Sequence, residues 1–100
     1  MKLIYDNIDK LSALFQKYKV QKVYVFGSIL TPQFNDDSDV DFLITYFPES
    51  DPLISGENAL DLNIELKDLL GRDVDLVNEM YIKNPYFKKS VEATKFLIYG

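Results

Sequence analysis

The 100-residue sequence contains no cysteine and no histidine. The first absence removes disulfides and thiolate metal sites. The second removes the commonest general base and the commonest zinc ligand. Carboxylates, hydroxyls, Lys and Arg are left for chemistry, and a metal held by oxygen donors of this kind is a hard one, Mg²⁺, Mn²⁺ or Ca²⁺. Positive charge is also scarce: 11 basic residues stand against 16 acidic ones, for a formal charge of −5. That balance argues against direct DNA or RNA binding, which rests largely on Lys and Arg neutralising phosphates. It leaves room for a nucleotide held through metal ions. No apolar run approaches the roughly 20 residues needed to cross a membrane. Asp6 and Asp9 interrupt any signal-peptide core. A cytoplasmic protein with one domain spanning 1–100 is the expectation.

Hydrophobic spacing gives the elements. Residues 6–19 read as an amphipathic helix with Asp6 as its N-cap and Ile8, Leu11, Leu14, Phe15 and Tyr18 at helical intervals. Residues 21–27 read as a mostly buried strand. A short helix is expected from Ser28 to about Phe34, limited by Pro32, then a turn over 35–38 and a second strand over 39–47. The breakers in 48–56 predict a loop, followed by a helix over 57–70 with Leu60, Ile64 and Leu70 near one stripe and Gly71 at its C-cap. A short strand over 73–77, a helix from Asn84-Pro85 to about Glu92 and a terminal strand over 96–99 complete the chain. This alternation of helices and strands predicts an α/β (α+β) fold, a small mixed β-sheet flanked by helices.

Two places on this frame carry chemistry. The first strand runs into Gly27-Ser28. A strand ending in Gly-Ser before a helix presents backbone N–H groups to an anion such as a nucleotide phosphate. The same residues also suit an ordinary strand-to-helix turn with Ser as N-cap. The lysine pattern of a P-loop is missing. The second strand opens with Asp39-Val40-Asp41. Alternation puts both carboxylates on one face, where they repel unless a cation or a proton lies between them. The competing reading is a charged strand edge that discourages edge pairing. A calcium loop is rejected, because Phe42 replaces the turn glycine and Pro48 falls where the closing Glu belongs. Asp73 and Asp75 open the third strand on one face. If that strand lies beside the second, Asp75 joins Asp39 and Asp41, and three carboxylates around one point fit two-metal phosphoryl or nucleotidyl transfer.

Gly27-Ser28, a ten-residue interval, Asp39-Val40-Asp41 and the later Val74-Asp75-Leu76-Val77 together resemble the DNA polymerase β-like nucleotidyltransferase superfamily, most closely its minimal prokaryotic branch. The resemblance covers most of the chain. It implies the nucleotidyltransferase fold, Gly27 and Ser28 on the triphosphate, Asp39 and Asp41 on two Mg²⁺ ions, and Asp75 on the catalytic one, with ATP as substrate. It also implies a setting: such proteins are often antitoxins of helical HEPN-domain ribonuclease toxins, and some transfer AMP from ATP to a toxin tyrosine.

One departure from the pattern matters. Members of this branch usually carry Arg or Lys shortly after Gly-Ser, whereas here Ile29-Leu30-Thr31-Pro32-Gln33-Phe34-Asn35 holds no basic residue. Each missing charge-assisted hydrogen bond costs about 1.5–3 kcal/mol of binding. The alternative to an enzyme is therefore a binding module that neutralises the toxin by direct contact through a weakened site. An antibiotic-modifying nucleotidyltransferase completed by a second subunit ranks lower, because 100 residues leave no extra acceptor domain. The acceptor, the nucleotide preference and homo-oligomer formation are not legible at this level.

Overall fold

The computed structural model describes residues 1–100. Two short helices, α1 (Lys2–Asp6) and α2 (Ile8–Lys17), lead into strand β1 (Val20–Phe26), and a single 3₁₀ turn (Gly27–Leu30) and a loop return the chain as β2 (Val40–Tyr46). The long helix α3 (Pro52–Leu70) crosses to β3 (Val74–Asn78), and after a second 3₁₀ turn (Glu79–Tyr81) come α4 (Pro85–Thr94) and β4 (Phe96–Tyr99). The four strands form one sheet in the order β3-β2-β1-β4. β1 is antiparallel to both β2 and β4, and β2 is parallel to β3. The mixed sheet with flanking helices agrees with the sequence expectation.

Strand alternation builds two apolar layers. Val23 and Val25 of β1, Val40, Phe42 and Ile44 of β2, and Val74 of β3 join Leu11 and Phe15 of α2 and Leu62, Leu66 and Leu70 of α3 in one buried cluster. Each large side chain fully buried here contributes roughly 1.5–3 kcal/mol. The rings of Phe15 and Phe42 meet edge to face with centroids 6.0 Å apart. On the opposite sheet face Phe26 and Leu43 pack against Val91 of α4. Asp41 and Asp75 belong by the same alternation to this second, thinly covered face.

Several local expectations are corrected. Asp6 does not cap the first long helix. It ends α1, where its carboxylate pairs with Lys2 at 2.6 Å. Asn7 is the joint between the helices (φ −115°), and its Nδ2 donates to Leu3 O at 2.8 Å. The segment 48–56 is not all loop. Asp51 Oδ1 accepts from Leu53 N at 2.9 Å and Pro52 takes the first helical position, so α3 starts five residues before 57. Pro has no N–H to lose there and its φ is preset for a helix. The buried stripe of α3 is Leu62, Leu66 and Leu70, whereas Leu60 and Ile64 are 70% and 58% exposed. This helix carries apolar residues on most of its circumference, so periodicity alone could not choose the face. Gly71 (φ +65°) ends the helix as expected, its N–H donating to Lys67 O.

Candidate active site

The site is assembled by register. Across the antiparallel β1–β2 pair Phe26 is opposite Asp41, and across the parallel β2–β3 pair Asp41 is opposite Asp75. Neighbouring strands lie about 4.8 Å apart, so the two carboxylates start from adjacent backbone positions on one face. Gly27 leaves β1 beside them with φ +74°, a conformation that favours glycine, and a Cβ added there would collide with Oδ2 of Asp41. The glycine therefore serves two needs at once, the left-handed turn and the space for the carboxylate. Asp39 lies one residue before β2. The N–H of the following Val40 donates to Asp73 O at 3.1 Å, which ties the entry of β2 to the entry of β3.

The electrostatics agree with this placement. Burial first, then Asp75, then Asp39, push the Asp41 carboxyl up from 3.8 to about 6. Two like charges are near enough to be felt, and low polarity around a half-buried carboxyl disfavours its ionised form. No cation relieves the strain: the ion pairs of the molecule join Lys2 to Asp6, Lys17 to Glu65, and Lys95 to Glu79 and Glu92. None of these involves Asp39, Asp41 or Asp75.

The donor set fits a hard divalent cation, because every group is a carboxylate and the cluster lacks its own counter-charge. The side chains as they stand do not gather three at a time around one point closely enough to enclose an ion. The backbone register brings Asp41 and Asp75 side by side.

A cavity of about 640 Å³ opens over Asp41 and Gly27. Leu30 and Thr31 line it from the 3₁₀ turn, and Phe87, Ser90 and Thr94 of α4 form its far wall. No Lys or Arg is among its lining residues, which carries the sequence departure after Ser28 into three dimensions. The larger cavity, about 740 Å³, lies at the other ends of β2 and β3, among residues such as Thr45, Asn78 and Met80. It touches neither Gly27 nor Asp41 and is set aside as the reaction centre. The loop before α3 faces that cavity rather than the carboxylates.

Gly27-Ser28 does not begin a helix of any length. The expected helix over 28–34 contracts to one 3₁₀ turn, whose carbonyl at Ser28 accepts from Thr31 N at 2.9 Å and Thr31 Oγ1 at 2.8 Å. Its macrodipole is correspondingly small. Ser28 is not the N-cap: that position falls to Phe26, and Ser28 lies inside the turn. The groups this turn offers to an anion are individual N–H groups and the Ser28 hydroxyl, not a helix dipole.

Two contributors escaped the sequence reading. The α4 wall is not legible in the sequence, because only the fold turns Phe87 toward Phe26, with ring centroids 5.9 Å apart. Arg72 sits three residues before Asp75, yet its guanidinium reaches back to the loop preceding Asp39. The signal available was its place in Gly71-Arg72-Asp73-Val74-Asp75.

With this geometry in place, similarity to known proteins is informative. The family model described as "Polymerase beta, Nucleotidyltransferase" matches residues 9–100. A Methanocaldococcus jannaschii protein that carries the provisional name of a protein adenylyltransferase is 43% identical over 79 residues, 79% of this chain and 76% of that one. A solved structure provisionally described as a minimal nucleotidyltransferase superposes with a TM-score of 0.68 at 26% identity, covering 96% of this chain and 95% of that chain. A structure of a tri-AMPylated Shewanella oneidensis HEPN toxin in complex with its MNT antitoxin gives a TM-score of 0.67 at 22% identity, covering 96% of this chain and 71% of that one. The chain belongs to the polymerase β nucleotidyltransferase family and, within it, is similar to the minimal nucleotidyltransferases.

Proposed function

We propose that this chain is an Mg²⁺-dependent adenylyltransferase that moves AMP from ATP to a protein hydroxyl, a tyrosine of a HEPN-type ribonuclease toxin, and so acts as the antitoxin. The observation that carries the reading is the uncompensated carboxylate cluster of Asp41 and Asp75 in register, with Asp39 beside them and Gly27 keeping the space clear. A relative is named for protein adenylylation, and a fold neighbour is described as an antitoxin bound to its AMPylated toxin.

In the reaction the acceptor oxygen forms a bond to the α-phosphorus of ATP. The bond from that phosphorus to the α,β-bridging oxygen breaks, and pyrophosphate leaves. Divalent ions, when bound, supply charge neutralisation for the triphosphate and acidify the attacking hydroxyl. Asp39 and Asp41 would hold the ions, and Asp75 would serve as a ligand and receive the acceptor proton. The N–H groups and hydroxyl around Gly27 and Ser28 orient the phosphates. The wall of α4 keeps bulk water away on one side.

The absence of Lys and Arg from this cavity favours one second reading, a binding module that blocks the toxin by contact alone. One experiment separates the two. The chain and its HEPN-type partner are incubated with α-labelled ATP and Mg²⁺, using wild type, Asp39→Asn and Asp41→Asn. Label on the partner, lost in both variants together with protection from the toxin, supports the enzyme. Protection by both variants without label supports the module. Undiminished labelling by both would overturn the assignment of the ligands.

A further inference from the structure

We propose that Arg72 is a positioning residue for Asp39: it pins the segment that delivers this carboxylate, and so sets how tightly a metal–nucleotide complex is held. The inference rests on the nucleotidyltransferase reading above.

Of the three carboxylates, Asp41 and Asp75 lie inside the sheet, where ladder hydrogen bonds hold their backbone. Asp39 does not, because β2 begins at Val40. Something other than the sheet must place it. Arg72 Nη1 donates to Asn35 O at 2.9 Å and to Ser38 O at 3.1 Å. Its guanidinium lies 4.8 Å from the centroid of the Phe34 ring. Ser38 is the residue before Asp39, and on the other side Val40 N is held by Asp73 O. Two consecutive residues of the β3 entry, Arg72 and Asp73, therefore grip the chain on both flanks of Asp39. The loop is folded to receive the arginine: Asn35 N donates to Ser38 Oγ, Asp37 N donates to Asn35 Oδ1 and Ser38 N donates to Asn35 O.

Arg72 enters no ion pair, although Asp73 is its chain neighbour and Asp36 and Asp37 belong to the loop it bonds. It spends its donors on backbone carbonyls, and its Nε is buried without a partner. A planar cation laid on an aromatic ring and bonded to two carbonyls is a fixed strut, the arrangement that suits Arg better than Lys. Its bonded donors are directed to the loop before Asp39, and it is not among the residues lining the cavity over Asp41.

The test uses the full chain with Mn²⁺·ATP as probe, in wild type, Arg72→Ala, Arg72→Lys and the control Asp41→Asn. Binding is measured by titration with Mn²⁺ and again with EDTA, and hydrogen exchange is followed at the Ser38, Asp39 and Val40 amides. The expected result for Arg72→Ala is a Kd for Mn²⁺·ATP raised about 10-fold or more, with faster exchange confined to these amides and the β2–β3 core protected. Arg72→Lys should recover part of the affinity, because an ammonium can reach both carbonyls but cannot stack as a plane. Should Arg72→Ala not fold, Arg72→Gln reads the same quantities. Wild-type affinity in the folded Ala or Gln variant overturns the proposal. So does an equal loss in EDTA, which marks a phosphate contact, or faster exchange throughout the sheet, which marks a purely structural role. If wild type binds no Mn²⁺·ATP, or Asp41→Asn binds it equally, the nucleotidyltransferase reading itself falls and this inference with it. If only Arg72→Ala matches wild type, the inference about Arg72 falls alone.

Discussion

Asp41 and Asp75 stand directly opposite one another across the parallel β2–β3 pair, and Gly27 lies under the Asp41 carboxylate with no room for a side chain. A fold that places two like charges side by side and leaves them without a cationic partner is less stable for it. The arrangement becomes favourable when a divalent cation binds, and that trade of stability for affinity leads to measurable consequences.

Lowering the pH should stabilise the metal-free chain through Asp41. Its folded-state pKa is raised to about 6 from 3.8, so between these values the native state binds more protons than the unfolded one and stability falls as pH rises through the window. The full shift corresponds to about 3 kcal/mol. Asp41 is only partly buried, so solvent screening reduces this to on the order of 1–2 kcal/mol. Urea unfolding of wild type and Asp41→Asn from pH 4 to pH 7 checks it. The variant should show a flatter profile and equal or greater stability at pH 7, and a steeper fall than wild type would contradict the assignment.

Mg²⁺·ATP should raise the melting temperature of wild type and do so far less for Asp41→Asn. A ligand at 100 times its Kd stabilises by about 2.7 kcal/mol. Thermal scans with ATP and Mg²⁺, then with ATP and EDTA, measure the shift. A shift that survives EDTA would place the nucleotide on protein groups rather than on metal.

Gly27→Ala should be harmful on two counts, the positive φ and the collision with Asp41 Oδ2. Backbone strain of this kind costs about 1–3 kcal/mol. Gly56→Ala is the control, since a Cβ there meets nothing within 4 Å and the site is helical. Replacing a helical glycine by alanine stabilises by about 0.5–1 kcal/mol. Chemical denaturation should therefore move the two variants in opposite directions.

The buried face of α3 can be tested by truncation. Leu62 is fully buried and Leu60 is 70% exposed. Leu62→Ala should lose about 2–5 kcal/mol, and Leu60→Ala should stay within about 0.5 kcal/mol of wild type. Equal losses would mean that the exposed apolar residues of α3 are covered in solution.

Much of this molecule was readable in advance for a local reason. Strands β1, β2 and β3 are short segments whose alternation and breakers leave one sensible secondary-structure reading, although Asp39 falls one residue before β2 and the helix expected after Gly27 shrinks to one turn. Boundaries failed where two signals competed. Pro52 and Asp51 read as loop breakers, yet together they cap and start α3. Leu60 and Ile64 obey helical spacing as well as Leu62 and Leu66 do, and only the position of the sheet selects between them.

The sequence by itself determined the chemistry available: carboxylates without histidine or cysteine, a glycine and a serine after a strand, and no basic residue between Ser28 and Asp39. Alternation predicts one face for Asp39 and Asp41, but Asp39 precedes β2, so the strand holds only Asp41. Tertiary structure alone decided that Asp75 is the neighbour of Asp41, since strand order and register are set by long-range packing of α3 across the sheet. It alone decided that α4 walls the cavity and that Arg72 reaches Ser38 across 34 residues of chain. Contacts between segments so distant in sequence follow from which apolar faces are buried together, and no local pattern encodes that choice.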